Sequence, residues 1–306
     1  MQFEIKILGS SSALPSSTRM PSAQMVLYNK TPYLIDCAEG TQMQMRKFSI
    51  PFGRLKNIFI SHLHGDHFYG IFGLISSLNL LGRKQDLHIY APAQLEEIIS
   101  SLHKINGDEL KYKLIFHSLN SNGKNLIFEN KNLEVYSFPL KHSKQVWGFL
   151  FQEKEKPRNI KKEAIEKHNL SISQIVKLKN GEDIIDENGI LIKNQELTYA
   201  ASIPRSYAYC TDTIPVRNLD KYIYNVDLLY HEATFGNDLA DVAKQTLHST
   251  ASEAGEIAKL VSAKKLVIGH FSVRYKNMNH LLKEAQEVFE NTIIAEDGSL
   301  SNIPHF

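Results

Sequence analysis

The stretch ISHLHGDHFYG, residues 60–70, constrains this chain more than any other, because it sets His62, His64, Asp66 and His67 within six positions directly behind apolar Ile58-Phe59-Ile60. Adjacent Asp66 and His67 cannot face the same way on one strand or one helix. The spacing therefore predicts a loop, with Gly65 free to take the positive φ that a tight loop demands. Imidazoles beside a carboxylate suit zinc or a similar first-row metal. Four donors splayed from one loop suit two adjacent ions better than one.

Apolar runs with strand character recur along the chain: FEIKIL (3–8), AQMVLY (23–28), PYLID (32–36), NIFIS (57–61), LHIYA (87–91), LEVYSF (133–138), WGFLF (147–151), YAYCT (207–211), VDLLY (226–230) and KLVIG (265–269). AQMVLY and PYLID, parted by Asn29-Lys30-Thr31, predict a hairpin. Helical patterns cover 68–81, 93–103, 251–262 and 278–289. Hairpins first and strand–helix alternation later predict an α/β (α+β) fold whose sheets carry helices on their outer faces. His142 follows LEVYSFPLK, Asp212 follows YAYCT and His270 follows KLVIG. Strand ends of this kind are where α/β sheets form their ligand crevices, so these three join the first four as seven candidate N/O ligands. Asp36, closing PYLID, is placed to orient a ligand imidazole from behind, as metal-bound histidines require.

At 306 residues the chain has room for two domains or one large α/β domain. Its formal charge of +2 implies no general attraction to polyanions, so any nucleic-acid contact must come from a local patch. The longest apolar stretch, 68–82, is broken by Ser76, Ser77 and Asn79 and is too short to span a bilayer. No signal-like segment opens the chain, and Cys37 and Cys210 form no CxxC pair, so a cytoplasmic protein is expected. Residues 153–200 differ from the rest: rich in lysine with little apolar periodicity, then acidic through NGEDIIDENG. They read as an arm or long loop inserted into a single domain spanning 1–306.

The seven ligands in this order resemble the metallo-β-lactamase fold, an αββα sandwich with a di-metal centre. The segments LGSSSALPS (8–16), HLHGDH, YCTDT (209–213), HEATF (231–235), HST (248–250) and GHFSVRY (269–275) narrow the resemblance to the ribonuclease Z family, endonucleases that mature the 3′ ends of precursor tRNA. The resemblance implies two Zn2+ per subunit, one held by His62, His64 and His142, the other by Asp66, His67 and His270, with Asp212 bridging. It implies attack of an activated water on phosphorus in line, with Asp66 also as general base and His248, steered by Glu232, as the acid for the departing 3′-oxygen. Thr250-Ala-Ser-Glu253 reads as a capping box, which leaves Ser249 and Thr250 a structural task. His231 reads as a residue that packs or that supports a ligand from behind. Arg274 and Tyr275 are expected at the phosphate or flanking base, and Lys161 and Lys162 at the tRNA through the arm. A homodimer follows only from the resemblance. Two other readings stay open at this level: a small-molecule phosphodiesterase on the same centre, and an RNA-binding metal protein without catalysis.

Overall fold

The computed structural model describes residues 2–107, 109–120, 122–186 and 188–305; Glu187, part of the acidic stretch, lies outside the described residues. Two seven-stranded sheets stack face to face. In order across the first are Leu300–Asn302, Phe3–Gly9, Ala23–Tyr28, Thr31–Ile35, Asn57–Phe59, Leu87–Ala91 and Leu114–Ser118; across the second, Thr292–Ile294, Leu266–Gly269, Leu228–Glu232, Ser206–Cys210, Trp147–Glu153, Leu133–Pro139 and Asn125–Glu129. Each sheet is antiparallel over part of its width and parallel over four strands.

The patterning follows from burial. Phe3, Ile5 and Ile7 alternate with Glu4 and Lys6 near one sheet's edge, whereas Ser206–Cys210, covered on both faces, is buried throughout and shows no alternation. Between the sheets lies an aromatic layer that includes Phe3, Tyr33, Phe59, Trp147, Phe149, Phe151, Tyr207 and Tyr230. A second core joins the first sheet to the helices Gly70–Leu80 and Gln94–Asn106, and a third joins the other sheet to Ala251–Leu260 and Asn279–Val288. Helices thus cover both outer faces, as expected.

All ten expected strands form. Leu114–Ser118, Asn125–Glu129, Thr292–Ile294 and Leu300–Asn302, and the helix Thr41–Lys47, were not anticipated. The hairpin turns on Asn29 and Lys30 alone, both at positive φ, and Thr31 already belongs to the strand. Of the two alternatives, arm or long loop, residues 159–199 are not a plain loop. Helices Lys162–Lys167 and Ile172–Lys179 and two small strand pairs close around Ala164, Leu178, Ile184, Ile192 and Leu197. Five apolar side chains spread among so many charges leave no periodic signature, yet they suffice for a small core.

Candidate metal centre

The site lies where strands of both sheets end at one rim of the sandwich. Asp36 follows Thr31–Ile35, His62 stands just past Asn57–Phe59, Asp212 past Ser206–Cys210, and His270 follows Leu266–Gly269. Asp36, Asp212 and His270 all have left-handed backbones, with φ of 53°, 42° and 61°. Such conformations cost about 1–3 kcal/mol each and persist only where the surroundings impose them. Here they turn the chain sharply off each strand.

The HxHxDH segment is only half the loop that was expected. His62 lies outside any helix or strand and His64 is extended, but a helical turn, Gly65–Phe68, begins before Asp66 and His67. Gly65 is not at positive φ. What it provides is space: a Cβ there would sit 2.3 Å from Cε2 of Tyr69, and that ring would have to move aside. Gly70 is needed for a similar reason: a Cβ would meet the Ala38 carbonyl at 1.9 Å, while its own N–H donates to Cys37 O at 2.8 Å and pins the next helix to the rim.

The seven expected ligands converge: His62, His64, His142 and Asp212 form one group and Asp66, His67 and His270 another, while Asp212 also groups with His270 and His248. Asp212 Oδ2 lies 3.4, 4.0 and 3.7 Å from His62 Nε2, His64 Nδ1 and His142 Nε2, whereas Oδ1 lies 3.0 and 3.2 Å from His67 Nε2 and His270 Nε2. Asp66 Oδ2 completes the second set at 3.6 Å from His67 Nε2 and 3.5 Å from His270 Nε2. Zn–N bonds of 2.0–2.1 Å imply ligand atoms about 3.3 Å apart around a tetrahedral ion. The spacing and the donor types fit a metal centre.

Oxygens hold the far sides of four of these imidazoles. Nδ1 of His67 meets Asp36 Oδ2 at 2.7 Å, that of His62 meets Ser61 Oγ at 3.0 Å, that of His142 meets Leu247 O at 2.9 Å and that of His270 meets Thr234 Oγ1 at 2.9 Å. Asp36 also accepts from the Ser61 N–H and hydroxyl and from the Tyr209 hydroxyl. Partners of this kind fix tautomer and ring plane and raise ligand basicity. Only Asp36 was expected. Tyr209 and Thr234 sit inside the quoted YCTDT and HEATF segments, but a hydroxyl has no spacing signature.

A second buried carboxylate, Glu232, ends the strand Leu228–Glu232. Its Oε1 lies 2.8 Å from His248 Nδ1 and accepts the Thr213 N–H at 2.7 Å, and its Oε2 accepts the Thr234 hydroxyl at 2.6 Å. Burial alone would lower the pKa of His248, but the Glu232 carboxylate overrides it and raises it to about 9. Burial would raise Glu232; His248 outweighs it and holds Glu232 near 2. His62 is driven down to about 4 by burial and by neighbouring His67, which keeps it in the neutral, metal-binding form. Burial opposes charge on Asp212 as well, but His270, His67 and His62 hold it well below the usual carboxylate range.

His248 stands just before the helix Ala251–Leu260, whose capping box joins Thr250 and Glu253 as expected. His231 is buried, its Nδ1 2.7 Å from Glu232 O, and belongs to neither ligand set. The expected phosphate contact from Tyr275 is not available: its ring is buried, and its hydroxyl accepts the Gly236 N–H at 3.0 Å and donates to Asp238 at 2.8 Å. Arg274 is exposed. Lys161 donates from Nζ to Glu196 O at 2.7 Å, within residues 159–199, and Lys162 is exposed. The ligands open into a cleft of about 760 Å³ lined also by Ala13, Leu14, Tyr69, Ser143, Gln245 and His248.

Residues 3–156 belong to the family whose model is described as "Anti-Pycsar protein Apyc1". Over nearly the whole chain the similarity is to other proteins. One named Ribonuclease Z from Parabacteroides distasonis is 44% identical over 296 residues, 97% of each chain, and one of the same name from Phocaeicola vulgatus is 41% identical over 296 residues, 97% of this chain and 96% of that one. Human tRNase Z, short form, superposes with a TM-score of 0.72 at 26% identity, covering 98% of this chain and 99% of its own. A metallo-β-lactamase fold protein from Bacillus subtilis superposes with a TM-score of 0.70 at 16% identity, covering 99% of this chain and 100% of its own, which shows the shared fold. Sharing two-fifths of its residues with the first two along almost its entire length, this chain belongs to the ribonuclease Z family.

Proposed function

We propose that the chain is a zinc-dependent endoribonuclease that removes the 3′ trailer of precursor tRNA, leaving a 3′-hydroxyl on the tRNA and a 5′-phosphate on the trailer. The observation that carries this reading is that Asp212 turns Oδ2 to His62 and His142 and Oδ1 to His67 and His270, with His248, held by Glu232, lining the same cleft. His62, His64 and His142 would hold one Zn2+, and Asp66, His67 and His270 the other, with Asp212 shared. Two bound Zn2+ ions supply Lewis acidity to phosphoryl oxygens and bring the pKa of water toward neutrality.

The chain's own groups do the rest. Asp66 Oδ2, which accepts the Ala13 N–H at 2.7 Å, is the group that orients and deprotonates the attacking water. Glu232 takes the Nδ1 proton of His248 into a hydrogen bond, so the other nitrogen, Nε2, gives up a proton to the leaving 3′-oxygen. General acid help of this sort is worth on the order of 10²- to 10⁴-fold.

Residues 154–179 carry eight Lys or Arg against three Glu. This supports a phosphate-binding role for the segment, with exposed Lys162 among the contacts. Leu80, Leu81 and Ile105, exposed near the C-terminal ends of the helices Gly70–Leu80 and Gln94–Asn106, support a homodimer. Among the described residues no helix is long and apolar enough to cross a membrane. A tRNA substrate and two buried free cysteines support a cytoplasmic place of action.

The test is incubation of the purified chain with a 3′-extended precursor tRNA, with and without chelator, and mapping of both product ends. Chelator-sensitive cleavage with the stated ends is expected. Turnover of small phosphodiesters without cleavage of the precursor would overturn the reading.

A further inference from the structure

One part of the cleft wall is neither a ligand nor part of the acid pair, and it is apolar and open to water. Tyr69 is 60% exposed although its ring rests against the backbone of Gly65; Leu14 is also 60% exposed, and Pro15 beside it is exposed. All three line the cleft. An exposed tyrosine and leucine lining this cleft find no explanation in the hydrolytic chemistry.

The wall is also held in place. Tyr69 N–H donates to Gly65 O at 3.1 Å, and its ring packs edge-on against Phe68 at 4.9 Å between centroids. On the other side the Ala13 N–H bond to Asp66 Oδ2 and the Ser12 N–H bond to Phe271 O, 3.0 Å, fix the Ser12–Pro15 segment to the site. Tyr69 lies one helical turn beyond Asp66, so its ring borders the place where the scissile phosphate must sit if Asp66 is to act on its water. Gly65 leaves the room this ring occupies, since a Cβ there would sit 2.3 Å from its Cε2.

We infer that Tyr69, flanked by Leu14 and Pro15, is a stacking platform for the unpaired nucleobase next to the scissile phosphodiester. The inference rests on the endoribonuclease reading and deepens it. Single-stranded RNA is held mainly by aromatic stacking, which tolerates any base because every base has a π-face. Stacking on an aromatic face flanked by the apolar Leu14 and Pro15 would give a subsite of low sequence preference, suited to varied trailers.

The test is a double-mutant cycle on the full, metal-loaded chain: wild type, Tyr69→Leu, Tyr69→Phe and Tyr69→Trp against a precursor tRNA and against two versions with one abasic nucleotide, 5′ or 3′ of the cleaved bond. Tyr69→Leu is expected to lower kcat/KM on the intact precursor about 5- to 150-fold, the loss of one stacked base, while Phe and Trp restore it. On one of the two abasic substrates the wild type should fall to the level of Tyr69→Leu, with no further loss from the substitution. Equal losses on intact and both abasic substrates would mean that Tyr69 acts through structure alone, and would overturn the inference, as would no loss at all. Wild type that cleaves no precursor would instead remove the endoribonuclease reading, and this inference with it.

Discussion

The hydroxyl of Thr234 lies 2.9 Å from Nδ1 of His270, and it donates in turn to Glu232 Oε2 at 2.6 Å. One side chain therefore joins a candidate ligand to the carboxylate that steers His248. Thr234→Val keeps the shape and removes both bonds. It is expected to weaken metal retention about 10- to 100-fold, the usual effect of losing such a partner, with Thr234→Ser close to wild type. Competition with a chromophoric chelator measures this without reference to turnover; equal retention in Val and wild type would contradict it.

His248→Ala should reduce turnover on the order of 10²- to 10⁴-fold while metal content, read by atomic absorption, stays at the wild-type level. In the proposed role the donor is the protonated imidazole, so activity is expected to fall as pH rises past its pKa. With Glu232→Gln the carboxylate that lifts His248 to about 9 is gone, and the alkaline limb of kcat should move to lower pH. An unmoved limb would show that the proton comes from another group.

Away from the cleft, Arg205 forms a buried fork with Glu153 at 2.9 and 3.0 Å, and Glu153 also accepts from the Tyr28 hydroxyl at 3.0 Å. Removing one partner of such a pair costs about 3–5 kcal/mol, so Glu153→Gln should lower the urea midpoint sharply. Burial would raise Glu153, but the hydrogen bonds from Arg205 override it and bring the pKa to about 2, against an ordinary 4.5. This is a depressed carboxylate. Its contribution is complete above 4.5 and disappears as pH falls through about 2, so the difference between wild type and Glu153→Gln should shrink in acid denaturation series.

Deletion of residues 157–200, closed by a short glycine linker, should weaken binding of precursor tRNA and flatten its salt dependence, because with each lost phosphate contact fewer counterions are released and the slope of log K against log salt is lowered. A filter-binding series between low and physiological salt reads both. An unaltered slope would take the segment's lysines out of the binding surface.

Much of the centre was legible because imidazole and carboxylate declare their chemistry by type. His62, His64, His67, His142 and His270 meet Asp66 and Asp212 as the strand-end positions implied. Position did not give direction, however. Tyr275 lies five residues beyond His270, but the chain between them turns its ring into the core. Thr41–Lys47 escaped notice because TQMQMRK buries only Thr41, Gln44 and Met45, too few apolar groups for a helical stripe. The strand Asn125–Glu129 buries neither face fully, which erases the contrast a strand pattern needs. Thr234 and Tyr209 act through single hydroxyls, whose partners are set by packing between distant strands.

The left-handed corners at Asp36, Asp212 and His270 bear on how portable this centre is. Transplanting the seven side chains onto a sandwich with ordinary strand ends would aim them along the sheet instead of across the rim. A working graft would have to carry the three bent backbones with it, and β-branched substitutes at those corners would be refused on steric grounds before chemistry was reached.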